Sequence, residues 1–296
     1  MQFMNKQTNI DFMSKRMIAT VLSAILIIVS IASLVTQSLN FGIDFTGGTM
    51  IEVAYEEQAD LAKIRETLEQ KGYDDAIVQN FGSIHDVLIR LPVLEEANMA
   101  ELSNRIVDAL QAEHDSEIDV RRVEFVGPEV GEELTEQGGL AMLYALIGIL
   151  IYISFRFEYR FAIGSIIALV HDVVLTLGFF SITQLEFDLT VLAAILAIIG
   201  YSLNDTIVVY DRIRETFLKM RKGSSQEIIN RALNDTLSRT LMTSTTTLLV
   251  VISLFVFGGE VIHAFSIALV IGVIIGTYSS IYVASNTILA IGISKQ

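Results

Sequence analysis

The chain has 296 residues, of which 52% are hydrophobic and only 18% charged, with a mean hydropathy of +0.55. A soluble domain carries roughly 25% charged residues, so this composition argues against a soluble enzyme. No cysteine is present, which removes disulfides, thiolate metal sites and cysteine nucleophiles. The net charge of −14 is unevenly spread: residues 38–137 hold 7 Lys+Arg and 23 Asp+Glu, and the remainder is close to neutral. No basic patch supports nucleic-acid binding, so no nucleic acid is expected as a partner.

An uncharged apolar run of about 20 residues is long enough to cross a bilayer. The first such run is Met17–Val35. Lys15 and Arg16 precede it, and Ser30-Ile31-Ala32 fits a small-x-small cleavage site. That site lies inside the run, which is longer than the apolar core of a signal peptide, so an uncleaved anchor is expected.

Residues 38–137 come next and are long enough for one small folded core. Thr49–Tyr55 reads as a strand, entered through a turn at Gly47-Gly48. Gln58–Lys71 is amphipathic through Leu61, Ile64 and Leu68, and Gly72 ends it. Ala76–Phe81 and Asp86–Leu91 read as strands flanking Gly82-Ser83, Glu95–Glu113 as a helix, and Glu117–Val126 as a strand. The order βαββαβ is that of the ferredoxin-like split motif. His85 and His114 read as isolated surface residues, and the carboxylates as solvated faces. No metal, cofactor or catalytic set emerges from them.

Five more spans follow: Gly138–Phe155, Phe161–Gln184, Leu189–Tyr210, Thr240–Gly259 and Ala264–Ile293. The expected fold class is a polytopic α-helical membrane protein with six transmembrane helices and one external α+β domain. Its segments are 1–37, the external domain 38–137, and 138–296 with a cytoplasmic loop 211–239. In that loop Gly223 ends one helix and Ser224-x-x-Glu227 resembles a capping box. A separate short helix along the membrane face is expected there.

Lys and Arg in short loops mark the cytoplasmic side. One side collects Lys6, Lys15, Arg16, Arg156, Arg160 and the loop residues Arg212, Arg214, Lys219, Arg221, Lys222, Arg231 and Arg239. The opposite short loops, at 186–188 and 258–263, hold none. Both termini are therefore expected in the cytoplasm, with 38–137 outside.

Two aspartates interrupt the apolar runs. Asp172 sits mid-span in the third, beside His171, and Asp205 near the end of the fourth. A charge at the centre of a span costs roughly 2.5–3.5 kcal/mol on insertion scales, and such residues usually mark ion or proton pathways. The alternative is a buried hydrogen bond that only fixes helix packing, and for Asp172 the two readings stand nearly level. Arg239 opens the fifth span, and Thr243, Thr246 and Thr247 follow it at helical spacing. Those hydroxyls either bond their own backbone or line a wet crevice. In the sixth span Ala264, Ala268, Gly272, Gly276, Ser280 and Ala284 recur every four residues. This small-residue stripe lets another helix approach closely, in this chain or in a partner.

Taken together, five ordered motifs resemble the SecF branch of the SecD/SecF family of protein-export membrane subunits, within the resistance-nodulation-division superfamily. They are residues 41–49 (FGIDFTGGT), 122–128 (RVEFVGP), 199–215 (IGYSLNDTIVVYDRIRE), 238–241 (SRTL) and 278–285 (YSSIYVAS). The resemblance implies a subunit that pairs with SecD, joins the SecYEG channel together with YajC, and uses proton flow to assist a translocating unfolded polypeptide in the bacterial inner membrane. It also implies that Asp205 and Arg239 serve proton conduction, with Asp172 a further candidate. Two other readings compete. A half-transporter subunit of a small-molecule exporter would need a larger binding domain. A passive scaffold would not need Asp205 and Arg239.

Overall fold

A computed structural model describes residues 8–93, 99–114, 117–220 and 223–292. Lys6, residues 95–98, Arg221, Lys222 and Ile293, all used in the sequence reading, lie outside them. The described residues form two compact units, one of Phe41–Leu140 and one of the chain before and after it.

In chain order the elements are α1 (Arg16–Thr36), β1 (Gly48–Ala54), α2 (Leu61–Gln70), β2 (Ile77–Phe81), β3 (Ser83–Leu91), α3 (Met99–Gln111) and β4 (Asp119–Val126). Long helices follow: α4 (Pro128–Arg156), α5 (Tyr159–Thr183), α6 (Leu189–Lys219), α7 (Ser225–Phe257) and α8 (His263–Ser279). A π turn (Ser280–Ala284) then joins α8 to α9 (Ser285–Ile291).

The α+β unit is the split βαββαβ motif. Its sheet has the order β2-β3-β1-β4 and every pairing is antiparallel. Alternation sends Ile51, Val53, Val87 and Ile89 to one face, where Ile64 and Leu68 of α2 and Ile106 and Leu110 of α3 close the core. Asp60 caps α2 by accepting from the backbone N–H groups of Ala62 and Lys63. The entry turn needs glycine: Gly47 and Gly48 have φ of +70° and +127°, and a Cβ on Gly48 would lie 2.3 Å from the Leu91 carbonyl oxygen. Tyr55 is buried against the His114 ring at 4.8 Å, and burial pushes its hydroxyl up to about 12.

In the helical unit the polarity is inverted. Among the described residues, six segments are long and apolar enough to cross a membrane. Their outer faces carry large apolar residues such as Ile18, Ile28, Phe155 and Phe257, while Ser165, Asp172, Ser181, Ser202, Ser279 and Ser280 are fully buried between helices. The small-residue stripe packs within the chain, against α6. A Cβ on Gly272 would lie 2.3 Å from Ile198, and one on Gly276 3.1 Å from the Cβ of Ser202, while Ala268 and Ser280 have no exposed surface.

One expectation is overturned. The capping box at Ser224 and Glu227 forms, yet the helix it opens is no separate surface helix. It continues without interruption to Phe257 over 33 residues. Nothing in this segment stops it, for it contains neither glycine nor proline. Helix α6 likewise runs past Tyr210 to Lys219.

Candidate functional site: two buried carboxylates

Asp172 of α5 is fully buried and its carboxylate is saturated with partners. One oxygen accepts from Ser202 of α6 at 2.5 Å and from Ser279 of α8 at 2.9 Å. The other is hydrogen-bonded to His171 Nδ1 at 2.9 Å. His171 Nε2 reaches Ser23 of α1 at 3.2 Å, Ser23 meets the Tyr278 hydroxyl at 3.0 Å, and that hydroxyl donates to the Ala19 carbonyl at 2.8 Å. Three helices thus meet at one carboxylate, and α1 joins them through His171. Burial of the carboxylate is tolerable because each polar atom in this hydrogen-bonded relay meets a partner. Beyond His171 lies an apolar cavity of about 570 Å³ between α1, α5 and the sixth span, with Thr20, Ser23 and Asn286 among its few polar lining groups.

Asp205 is 8% exposed. Thr240 of α7 donates to its Oδ1 at 2.6 Å, and Ser280 donates to its Oδ2. Ser280 also donates to the Thr277 carbonyl at 3.0 Å. Nearby, the Ser244 hydroxyl lies 2.7 Å from that of Thr277 and accepts from Tyr201 at 3.0 Å.

Arg239, next to Thr240, is exposed and makes no hydrogen bond or ion pair among the described residues. It lines a polar crevice of about 500 Å³ with Arg156, Asp211, Arg212, Glu215, Asp235 and Thr236. Arg212 bridges α6 to α7 there, with a guanidinium nitrogen 2.6 Å from Asp235, and Glu215 is 2.6 Å from the same side chain. Of the threonines singled out in sequence, Thr246 is exposed and donates to the backbone carbonyls of Met242 and Thr243, while Thr243 and Thr247 are half-buried. The hydroxyls that enter the interior from α7 are instead those of Thr240 and Ser244. They sit one helical turn apart, on a face rotated about 100° from Arg239.

The arrangement therefore brings Asp172 and Asp205 into one hydroxyl-lined interior and leaves Arg239 outside it, in a separate polar crevice. Both acids have acceptor oxygens bonded to rotatable hydroxyls, groups that can donate or accept a proton by turning about one bond. Sequence reasoning missed Ser202, Thr240 and Ser279, although all three lie at or inside the quoted motifs. Ser280 it read only as a small packing residue.

Comparison with known proteins agrees with this architecture. Residues 106–294 match the family described as Protein export membrane protein SecD/SecF, C-terminal, and residues 32–59 match the SecD/SecF GG motif. The chain is 52% identical over 295 residues to a protein translocase subunit SecF of Vibrio alginolyticus, covering 100% of this chain and 94% of that one. It is 45% identical over 287 residues to the SecF subunit of Escherichia coli O157:H7, covering 97% and 89%. The crystal structure of SecDF, a translocon-associated membrane protein, from Thermus thermophilus superposes with a TM-score of 0.86 at 37% identity. That match covers 96% of this chain but only 38% of the SecDF chain. With the family matched over most of its length and close relatives aligned end to end, this multi-pass membrane chain belongs to the SecD/SecF family of protein-export membrane proteins.

Proposed function

We propose that the chain is a non-enzymatic accessory subunit of protein export, paired with a SecD-like chain beside the SecYEG channel and YajC. It draws on the proton-motive force to assist an unfolded polypeptide in transit. The observation that carries this reading is Asp205, a carboxylate buried within apolar spans and held, among the described residues, by the hydroxyls of Thr240 and Ser280, with Arg239 preceding Thr240 in sequence. Desolvation favours the neutral form of a carboxyl group and a neighbouring cation the charged form. We tie proton passage to motion that alters hydration around Asp205 or its distance from Arg239. One charge moved through the full field yields about 2.3 kcal/mol per 100 mV, enough to bias a conformational equilibrium of a few kcal/mol.

The test is protein translocation into vesicles with and without a proton gradient, alongside recovery of the complex. Asp205→Asn and Arg239→Met are expected to assemble and to lose the gradient-dependent part of export. Full retention in both assembled variants would make the pair structural.

The bilayer in question is the bacterial inner membrane, with both termini in the cytoplasm and residues 38–137 outside. This orientation rests on the arginine and lysine asymmetry of the loops. A Ser83→Cys variant should react with an impermeant thiol reagent in intact spheroplasts, and a Ser225→Cys variant should not. The reverse pattern would refute the orientation.

A further inference from the structure

Asp172 and Asp205 sit on different helices, yet adjacent residues of a third segment bind both. Ser279 donates to Asp172 and Ser280 donates to Asp205. Neighbouring residues of a helix point about 100° apart, so one can serve α5 while the next serves α6. Helix α6 closes a second link from the other side: Ser202 donates to Asp172, and Asp205 itself lies three residues further along the same face. The two acids, two serines and the Ser202–Asp205 turn therefore make a closed loop of hydrogen bonds and backbone.

The loop passes through the point where the helix changes form. Helix α8 ends at Ser279 and the π turn begins at Ser280. A π turn is a short, uncommon insertion in helical geometry, found often at functional sites. It has a ready alternative in the α-helix on either side of it. One oxygen of each carboxylate here accepts from a serine hydroxyl of this segment. A carboxyl that takes up a proton becomes a donor and loses part of its acceptor capacity, so the serine facing it must turn. Because the two hydroxyls hang from consecutive Cα atoms, a backbone adjustment that suits one acid displaces the donor of the other.

We propose that Ser279 and Ser280 couple Asp172 to Asp205 through the π turn, which makes Asp172 a working partner of the proton-carrying site and the two serines its positioning residues. This rests on the proton-coupled reading of Asp205 given above. It meets the requirement for physical coupling, a single element whose arrangement both sites bias.

The experiment measures gradient-dependent export in vesicles containing the whole complex, for Ser279→Ala, Ser280→Ala, the double variant, Asp172→Asn and Asp205→Asn, each checked for assembly by pull-down. Each serine variant alone should lose the gradient-dependent part by on the order of tenfold, the effect of one hydrogen bond to a charged group. If the acids are coupled, the double variant loses no more than the worse single one. Independent acids would multiply to about a hundredfold loss, and that result overturns the coupling. Asp172→Asn should also lose gradient dependence, and full retention there overturns the proposal as well. Ser279→Cys and Ser280→Cys keep the size and a weak donor, so they should lose less than the alanine variants. They replace them in the cycle if alanine prevents assembly. Asp205→Asn separates the two levels: its retention of gradient dependence rejects the functional reading itself. Its loss, combined with multiplicative serine effects, rejects only the coupling.

Discussion

The two units of this chain solve the burial problem in opposite ways. The α+β unit hides Ile51, Leu68, Ile89 and Ile106 and leaves its many carboxylates in solvent. The helical unit hides Asp172, Ser202, Ser279 and Ser280 along with apolar residues such as Phe180 and Ile195, and turns many other large apolar residues outward. In water the hydrophobic effect drives side chains together. In lipid that drive between helices is absent, and close contact with interhelical hydrogen bonds takes its place. A polar interior is therefore a packing device in the second unit and would be a defect in the first. It also leaves the second unit with groups able to exchange protons.

The contrast can be broken most strongly by truncating the apolar core. Ile106→Ala should destabilise the α+β unit by about 2–5 kcal/mol, as expected for a fully buried isoleucine. Urea unfolding reported by a fluorophore at a Ser83→Cys position measures it. Next comes close approach between helices. Gly272→Ala drives a methyl group into Ile198 and should cost about 1–3 kcal/mol, read as a lower melting temperature in detergent. Gly276→Ala, with more room at Ser202, should cost less, and equal costs would argue against the α6 contact as the cause. A single interior hydrogen bond ranks lower. Ser33 and Ser181 share one at 2.7 Å between α1 and α5, and Ser33→Ala should cost on the order of 0.6 kcal/mol in the same melting experiment.

The smallest effect sharpens the comparison by pH. Burial favours the neutral Tyr55 phenol, so its contribution is complete below the ordinary tyrosine value of 10 and is lost as pH rises towards about 12. The Tyr55 hydroxyl has no hydrogen-bond partner among the described residues, so Tyr55→Phe should change stability little at neutral pH. It should flatten the decline between pH 10 and 12 in the same urea assay. An unchanged decline would assign it to other groups.

Much of the architecture was legible in the sequence because it rests on patterns of a few residues. Alternation at 49–55 and helical spacing of Leu61, Ile64 and Leu68 mark the elements of the α+β unit, and long apolar runs, two of them interrupted by an aspartate, mark the six spans. The end of the helix opened by the capping box was not legible, since Ser224 and Glu227 mark where α7 starts but no local signal says that it continues through Arg239. The site was half legible. An aspartate in an apolar run stands out by cost, whereas Ser202, Ser279 and Ser280 look like ordinary small residues until neighbouring helices fix where each points. The threonine run shows the same limit. Thr243, Thr246 and Thr247 align with Arg239, and Arg239 faces outward, so the interior hydroxyls are those of Thr240 and Ser244, about one residue's rotation away.

Helix α7 has a mechanical consequence. Its 33 residues make a rod of about 50 Å, while the hydrocarbon layer takes up about 30 Å. The rod exceeds that layer by roughly 20 Å, the length of the stretch before Arg239, and this arm is tied to the neighbouring rod α6 through Arg212 and Asp235 and to residues 10–12 through Asn230 and Asn234. Thr240, at the fulcrum of that arm, is the residue that grips Asp205. A tilt of about 10° at the fulcrum would displace a point about 20 Å along the arm by about 3 Å, on the strength of helix length alone.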